Sequence, residues 1–125
     1  MIIGIGNDII EIDRIKKSIE RSGDIFIKKI FTQNEIDYCE SKGASKWESY
    51  AARFAAKEAV AKAMPAEIDK KISWKDVEVK KSETGKIEII LSDHAEELVK
   101  PNWKLFVTLS HNKTMSMATV IVEEV

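Results

Sequence analysis

The chain opens with a short apolar run punctuated by glycine, Met1 to Asp8 (MIIGIGND), which is too short for a helix and predicts a strand ending at its first carboxylate. Ile12, Ile15 and Ile19 then recur at helical spacing, with Arg14, Lys17 and Arg21 on the opposite face and Gly23 as a natural stop. Thr32 with Glu35 and Ser45 with Glu48 each match a capping box, and they predict helices over 33–42 and 46–64. The second of these is rich in alanine and stops before Pro65. From Ser73 the texture changes. Val77 and Val79 alternate with charge, Ser82 to Lys86 is turn chemistry, and Ile87 to Leu91 is β-rich, which predicts a hairpin. A short helix over 92–100 stops before Pro101. Strands at 104–110 and 115–123 turn through Asn112 and Lys113. The order of elements is α+β, a mainly antiparallel sheet packed by helices.

Length and composition narrow the class. At 125 residues and 44% hydrophobic, the chain is sized for one domain over 1–125 with a core of its own. Cys39 is the one cysteine, so no internal disulfide is available, and no leader-like segment is evident, which predicts a reducing, cytoplasmic setting. No stretch approaches the roughly 20 apolar residues of a membrane helix, and a soluble protein is expected. Twenty basic residues against 21 acidic ones give a net charge of -1, which argues against a nucleic-acid or anionic-membrane partner attracted by global charge.

Taken singly, the candidate chemical residues have bland readings. An aspartate closing a strand, such as Asp8, ordinarily faces water or bonds a nearby amide. Glu58 and Lys62 stand four apart in the order favoured for a surface ion pair. His111 sits where a strand meets a turn, His94 reads as surface, Cys39 as buried filler, and the basic stripe as a solvated helix face diluted by Asp13 and Glu20.

Together they carry a resemblance. Gly4 to Ile15 (GIGNDIIEIDRI), Arg53 to Ala63 (RFAAKEAVAKA) and Leu109 to Ile121 (LSHNKTMSMATVI), with Phe31, Thr32, Glu35 and Tyr38 between them, resemble the bacterial holo-acyl-carrier-protein synthases in order and spacing over essentially the whole length. The resemblance implies a 4′-phosphopantetheinyl transferase that moves the phosphopantetheine of coenzyme A onto a serine of apo-acyl carrier protein, in support of fatty acid biosynthesis. By position, Asp8 and Glu58 would hold Mg2+ against the pyrophosphate. Lys62 would contact the phosphates and stabilise or protonate the leaving group. The serine proton would pass to Glu58 directly or through a metal-bound water. Arg53 and His111 would bind coenzyme A phosphates with help from Ser110, and the turn at Gly85 and Lys86 would line the adenine pocket. Arg14, Lys17 and Arg21 would meet the acidic carrier, Arg14 foremost. The family also implies a homotrimer with active sites between subunits.

The chain departs from that pattern in three places. Met64 to Asp69 (MPAEID) replaces a frequent Gly-Thr-Gly stretch, Ile87 stands where proline usually follows the turn, and Asn7 stands where threonine is common. Two other classes remain open on the residues alone. One is a non-catalytic carrier-binding module, which has no need of Asp8, Glu58 and Lys62 together. The other is a metal-dependent phosphohydrolase, which has no use for a basic docking helix.

Overall fold

The computed structural model describes residues 1–125. Its strands are β1 (Ile2–Glu11), β2 (Val77–Lys81), β3 (Ile87–Leu91), β4 (Trp103–His111) and β5 (Met115–Glu124). Its helices are α1 (Ile12–Ser22), α2 (Asp24–Ile30), α3 (Gln33–Glu40), α4 (Lys46–Ala63), α5 (Ala66–Asp69) and α6 (Asp93–Leu98). The α+β expectation holds. The strands form two antiparallel sheets rather than one, β1-β5-β4 and β2-β3. None of the helices is long and apolar enough to cross a membrane.

Two local readings need correction, and two short helices were not read. The first strand does not end at Asp8 but runs on to Glu11, because pairing with β5 continues through Ile9–Met117 and Ile10–Ser116 to Glu11–Met115. Asp8 is therefore held inside a ladder. The Thr32–Glu35 capping box forms, whereas the Ser45–Glu48 box does not, since Gly43–Ser45 is a 3-10 turn that leaves Ser45 at ψ 4° instead of extended. Helices α2 and α5 were not legible in the apolar pattern. DIFIKKI and AEID are too short to show a helical period.

Helix α4 is the centre of the molecule. Its alanines at 55, 56, 59 and 63 are buried against Val120 and Val122 of β5 and Val77 and Val79 of β2, while Tyr50 and Ala51 close a second core with Ile15, Phe31 and Cys39. Beneath it β1 approaches backbone to backbone. A Cβ at Gly4 would fall 1.9 Å from the Ala63 carbonyl oxygen, and one at Gly6 would fall 1.9 Å from that of Ala59. Glycine is required at both for want of space.

One ion pair lies fully inside. Lys57 on α4 is 2.8 Å from the Glu35 carboxylate with both side chains buried, and it also donates to the carbonyls of Trp74 and Val77. Glu35 in turn accepts from Thr32 N at 2.9 Å and Val79 N at 2.8 Å. Such a pair is tolerable in a core because every charged atom has a partner.

Gly6→Ala is expected to force β1 off α4 and to lower stability by at least about 2 kcal/mol, seen as a lower urea midpoint. An unchanged midpoint would mean that the strand can lift from the helix without cost.

Candidate functional site

Strand alternation decides which residues of β1 can act. Gly4, Gly6 and Asp8 face α4, and Ile5, Asn7 and Ile9 face the open side of the sheet. Because the two glycines bring the strand against the helix, Gly4 at Ala63 and Gly6 at Ala59, the next inward position, Asp8, comes in one step further back along α4, beside Glu58 and Phe54, and the Lys62 side chain reaches back to it. Lys62 Nζ lies 3.0 Å from Asp8 Oδ1 and donates to the Asn7 carbonyl at 2.9 Å. Glu58, one turn earlier, lines the same cleft as Asp8, together with Arg14 and Ile15 of α1 and Phe26 and Phe54. Lys62 therefore turns to Asp8 across the gap between elements, and the simple Glu58–Lys62 surface pair is not what forms.

The electrostatics of this cleft are uneven. Partial burial and the nearby Asp8 charge hold the Glu58 carboxyl above its ordinary value, against the pull of Lys62. Arg14, Lys17 and Arg21 are exposed along α1, but Lys17 is spoken for by Asp13 at 2.9 Å. Arg14 is the member of the stripe that lines the cleft with Asp8 and Glu58.

The other expected site residues lie elsewhere on the chain. Arg53 is five residues from Glu58, which puts it about 140° away around α4. It is buried, its guanidinium sits 4.2 Å over the Tyr38 ring and donates to the Ser49 carbonyl at 3.3 Å, and its Nε has no partner. Lys80, Lys81, Glu78 and Asn34 surround the same pocket. Burial would raise the Tyr38 phenol, but the Lys42 ammonium beside it brings it below its ordinary value. His111 is exposed and lies 3.7 Å from Glu48, ten residues or about 15 Å along α4 from Glu58. Ser110 points to the open face of the sheet, and Gly85 turns the β2–β3 hairpin at φ 88°. One chain thus brings together Asp8, Glu58, Lys62 and Arg14, and leaves Arg53, Ser110, His111 and Gly85 apart from them.

A scan against family models matches residues 4–118 to the 4′-phosphopantetheinyl transferase superfamily. The chain belongs to that superfamily. Among curated members it is 45% identical over 120 residues to a holo-[acyl-carrier-protein] synthase of Ruminiclostridium cellulolyticum, covering 94% of this chain and 90% of that one. It is 47% identical over 127 residues to the synthase of the same name from Solibacter usitatus, covering 98% and 99%. Among solved structures, the holo-(acyl-carrier-protein) synthase of Bacillus anthracis in complex with CoA (3′,5′-ADP) superposes with a TM-score of 0.79 at 34% identity, over 100% of this chain and 99% of that one. The Helicobacter pylori enzyme in complex with coenzyme A gives 0.78 at 30% identity, over 95% and 99%.

Within this superfamily fold, two buried charged residues escaped the sequence reading. Lys57 was not singled out, and Glu35 was read only as a capping residue and as part of the Phe31–Tyr38 pattern, although alanines at 52, 55, 56 and 59 around Lys57 were a signal that its helix face is covered. Tyr38 was noted only as part of a pattern, and nothing in the sequence places it under Arg53.

The raised Glu58 carboxyl makes a signed prediction. A folded-state value above the unfolded one favours the folded state only at low pH, and that contribution is lost as pH rises through the folded value. Without metal, Glu58→Gln is therefore expected to raise the melting temperature at pH 7 by roughly a degree or two, and the gain should vanish below the ordinary glutamate value of 4.5. Melts in EDTA across pH 4–8 check the sign.

Proposed function

We propose that the protein transfers 4′-phosphopantetheine from coenzyme A to a serine of an apo-acyl carrier protein, giving holo-carrier and adenosine 3′,5′-bisphosphate, in support of fatty acid biosynthesis. The observation that carries this reading is the meeting of Asp8, Glu58 and Lys62 in one cleft that Arg14 also lines, in a chain of this superfamily.

The donor set fits Mg2+. Asp8 and Glu58 supply two hard carboxylates with no cage of three or more acidic, histidine or cysteine side chains, which suits an ion that is held by one or two carboxylates plus substrate phosphates. When bound, the ion supplies charge neutralisation at the pyrophosphate. The residues do the rest. Lys62, half exposed at 52% and already beside Asp8, swings to the phosphates and holds the leaving bisphosphate. Glu58 accepts the serine proton, directly or through one water, and its raised carboxyl suits it to that role at neutral pH. The serine Oγ–phosphorus bond forms as the bond from that phosphorus to the bisphosphate oxygen breaks, and the task of the protein is alignment and charge dispersal. Arg14, with Lys17 and Arg21 behind it, guides the acidic carrier to this cleft.

A homotrimer with shared sites explains the scattered residues. Arg53, Ser110, His111 and the Gly85 turn cannot join Glu58 within one chain, whereas a neighbouring copy can present them. The open face of β1-β5-β4 leaves Ile5 64%, Ile9 55%, Phe106 51% and Met117 38% exposed, which is apolar surface suited to burial between subunits. The basic pocket around Arg53, with its unpartnered Nε, is then where a coenzyme phosphate is held. A cytoplasmic location fits the single thiol, Cys39, which burial pushes up to about 12 and so keeps unreactive.

Incubation of apo-acyl carrier protein with coenzyme A, Mg2+ and this protein should give a mass gain of one phosphopantetheine, lost with EDTA and with Glu58→Ala. Release of bisphosphate without any carrier would instead favour hydrolysis, and no gain with several carriers would favour a binding module. Arg14→Glu should raise KM for the carrier by about tenfold or more while leaving coenzyme A binding within about twofold. Equal losses for both would remove the docking role.

A further inference from the structure

The buried Glu35–Lys57 pair stands apart from the carboxylate cleft, yet one of its ties leads back to it. Lys57 Nζ donates to the carbonyl of Trp74 at 3.0 Å and to that of Val77, the two ends of the short 3-10 turn Trp74–Asp76. No other hydrogen-bonding side chain of α4 reaches this turn. The turn's remaining polar side-chain ties run away from α4, since the Asp76 carboxylate accepts from Ser73 N at 2.8 Å, Ser73 Oγ at 2.9 Å and Ser92 Oγ at 2.6 Å. The polar link between α4 and Trp74 is therefore Lys57 alone.

Trp74 matters for what its ring supports. It stacks on Phe54 with ring centroids 5.2 Å apart and planes 24° from parallel. Phe54 stands one turn before Glu58 on the same face of α4, and the two line the cleft together with Asp8. Helix α2, which brings Phe26 to that cleft, packs against the same turn. The aromatic wall beside Glu58 is thus backed by a ring whose own backbone hangs from Lys57. Charge balance needs only Glu35, whose carboxylate is in turn fixed by Thr32 N and Val79 N. The two carbonyls add direction, and they aim the ammonium at the turn. We propose that Lys57 and Glu35 are positioning residues for the transfer reaction, holding Trp74 and through it Phe54 so that Glu58 stays aligned in the cleft. The proposal rests on the transferase reading above, in which Glu58 takes the serine proton. Misplacing a reacting group by about 1 Å can cost on the order of 100-fold in rate, so a loosened wall is felt in the chemical step.

The test separates positioning from stability. Lys57→Met keeps a side chain of similar length and removes all three ties. Glu35→Gln combined with Lys57→Met also removes the buried negative charge, and serves should the single variant fail to fold. The Trp74 indole N–H resonance, assigned by its loss in Trp74→Phe, should shift in both. For transfer to apo-acyl carrier protein, kcat per folded molecule should fall about tenfold or more, with KM for coenzyme A and for the carrier within about twofold. A kcat per folded molecule within about twofold of wild type, beside a lowered urea midpoint, makes the pair merely structural and overturns the proposal. An unmoved Trp74 resonance overturns it too, while the transferase reading stands. Wild-type protein that transfers nothing overturns both.

Discussion

Where Gly4 and Gly6 pass the carbonyls of Ala63 and Ala59, backbone lies against backbone with no side chain between, and the geometry of the cleft follows from that contact. Packed interiors deform little. With β1 fixed against α4, the next inward residue after the glycines is carried past Ala59 to the level of Glu58, and Asp8 meets the Lys62 side chain without a loop to position it. Both carboxylates and the lysine thus stand on regular elements, which hold reacting groups more closely than loops do.

Helix α4 can serve several partners because its composition lets it be buried nearly all round. Its alanines admit the sheet, Lys57 and Arg53 are drawn inward toward α3 and β2, and Glu58 and Lys62 remain at the cleft. Lys57 and Glu58 are adjacent in sequence yet opposite in fate. One charge is neutralised by Glu35 inside the core, and the other is kept beside Asp8, where like charges meet. A core pair of this kind adds little net stability, but it leaves the helix a single rotation in which both lysines are satisfied.

How much was readable from the sequence depended on whether the signal was local. Ile12, Ile15 and Ile19 gave α1, and Thr32 with Glu35 gave the start of α3, since period and capping are properties of neighbouring residues. The extension of β1 through Ile9 and Ile10 was hidden because those residues also fit the lead-in to the isoleucine stripe, and pairing with Met117 and Ser116 settled it. Likewise Ser45 and Glu48 have the right spacing for a cap, but the preceding turn at Gly43 sets the wrong backbone angle. Asp8, Glu58 and Lys62 were named by resemblance, whereas their convergence depends on two glycines more than 50 residues from Ala59, a contact that no window of sequence contains.

The Glu35 carboxylate links a contact three residues away, to Thr32 N, with one 44 residues away, to Val79 N. The near bond closes with the helix turn itself. The far one waits until β2 docks, and β2 has only five residues and one partner strand, a hairpin of marginal stability on its own. Sliding that strand by one residue would turn Val77 and Val79 outward and carry the amide away from a buried negative charge. Mispaired intermediates are thus penalised electrostatically as well as by lost packing, so a five-residue strand takes its reading frame from one acidic side chain 44 residues earlier.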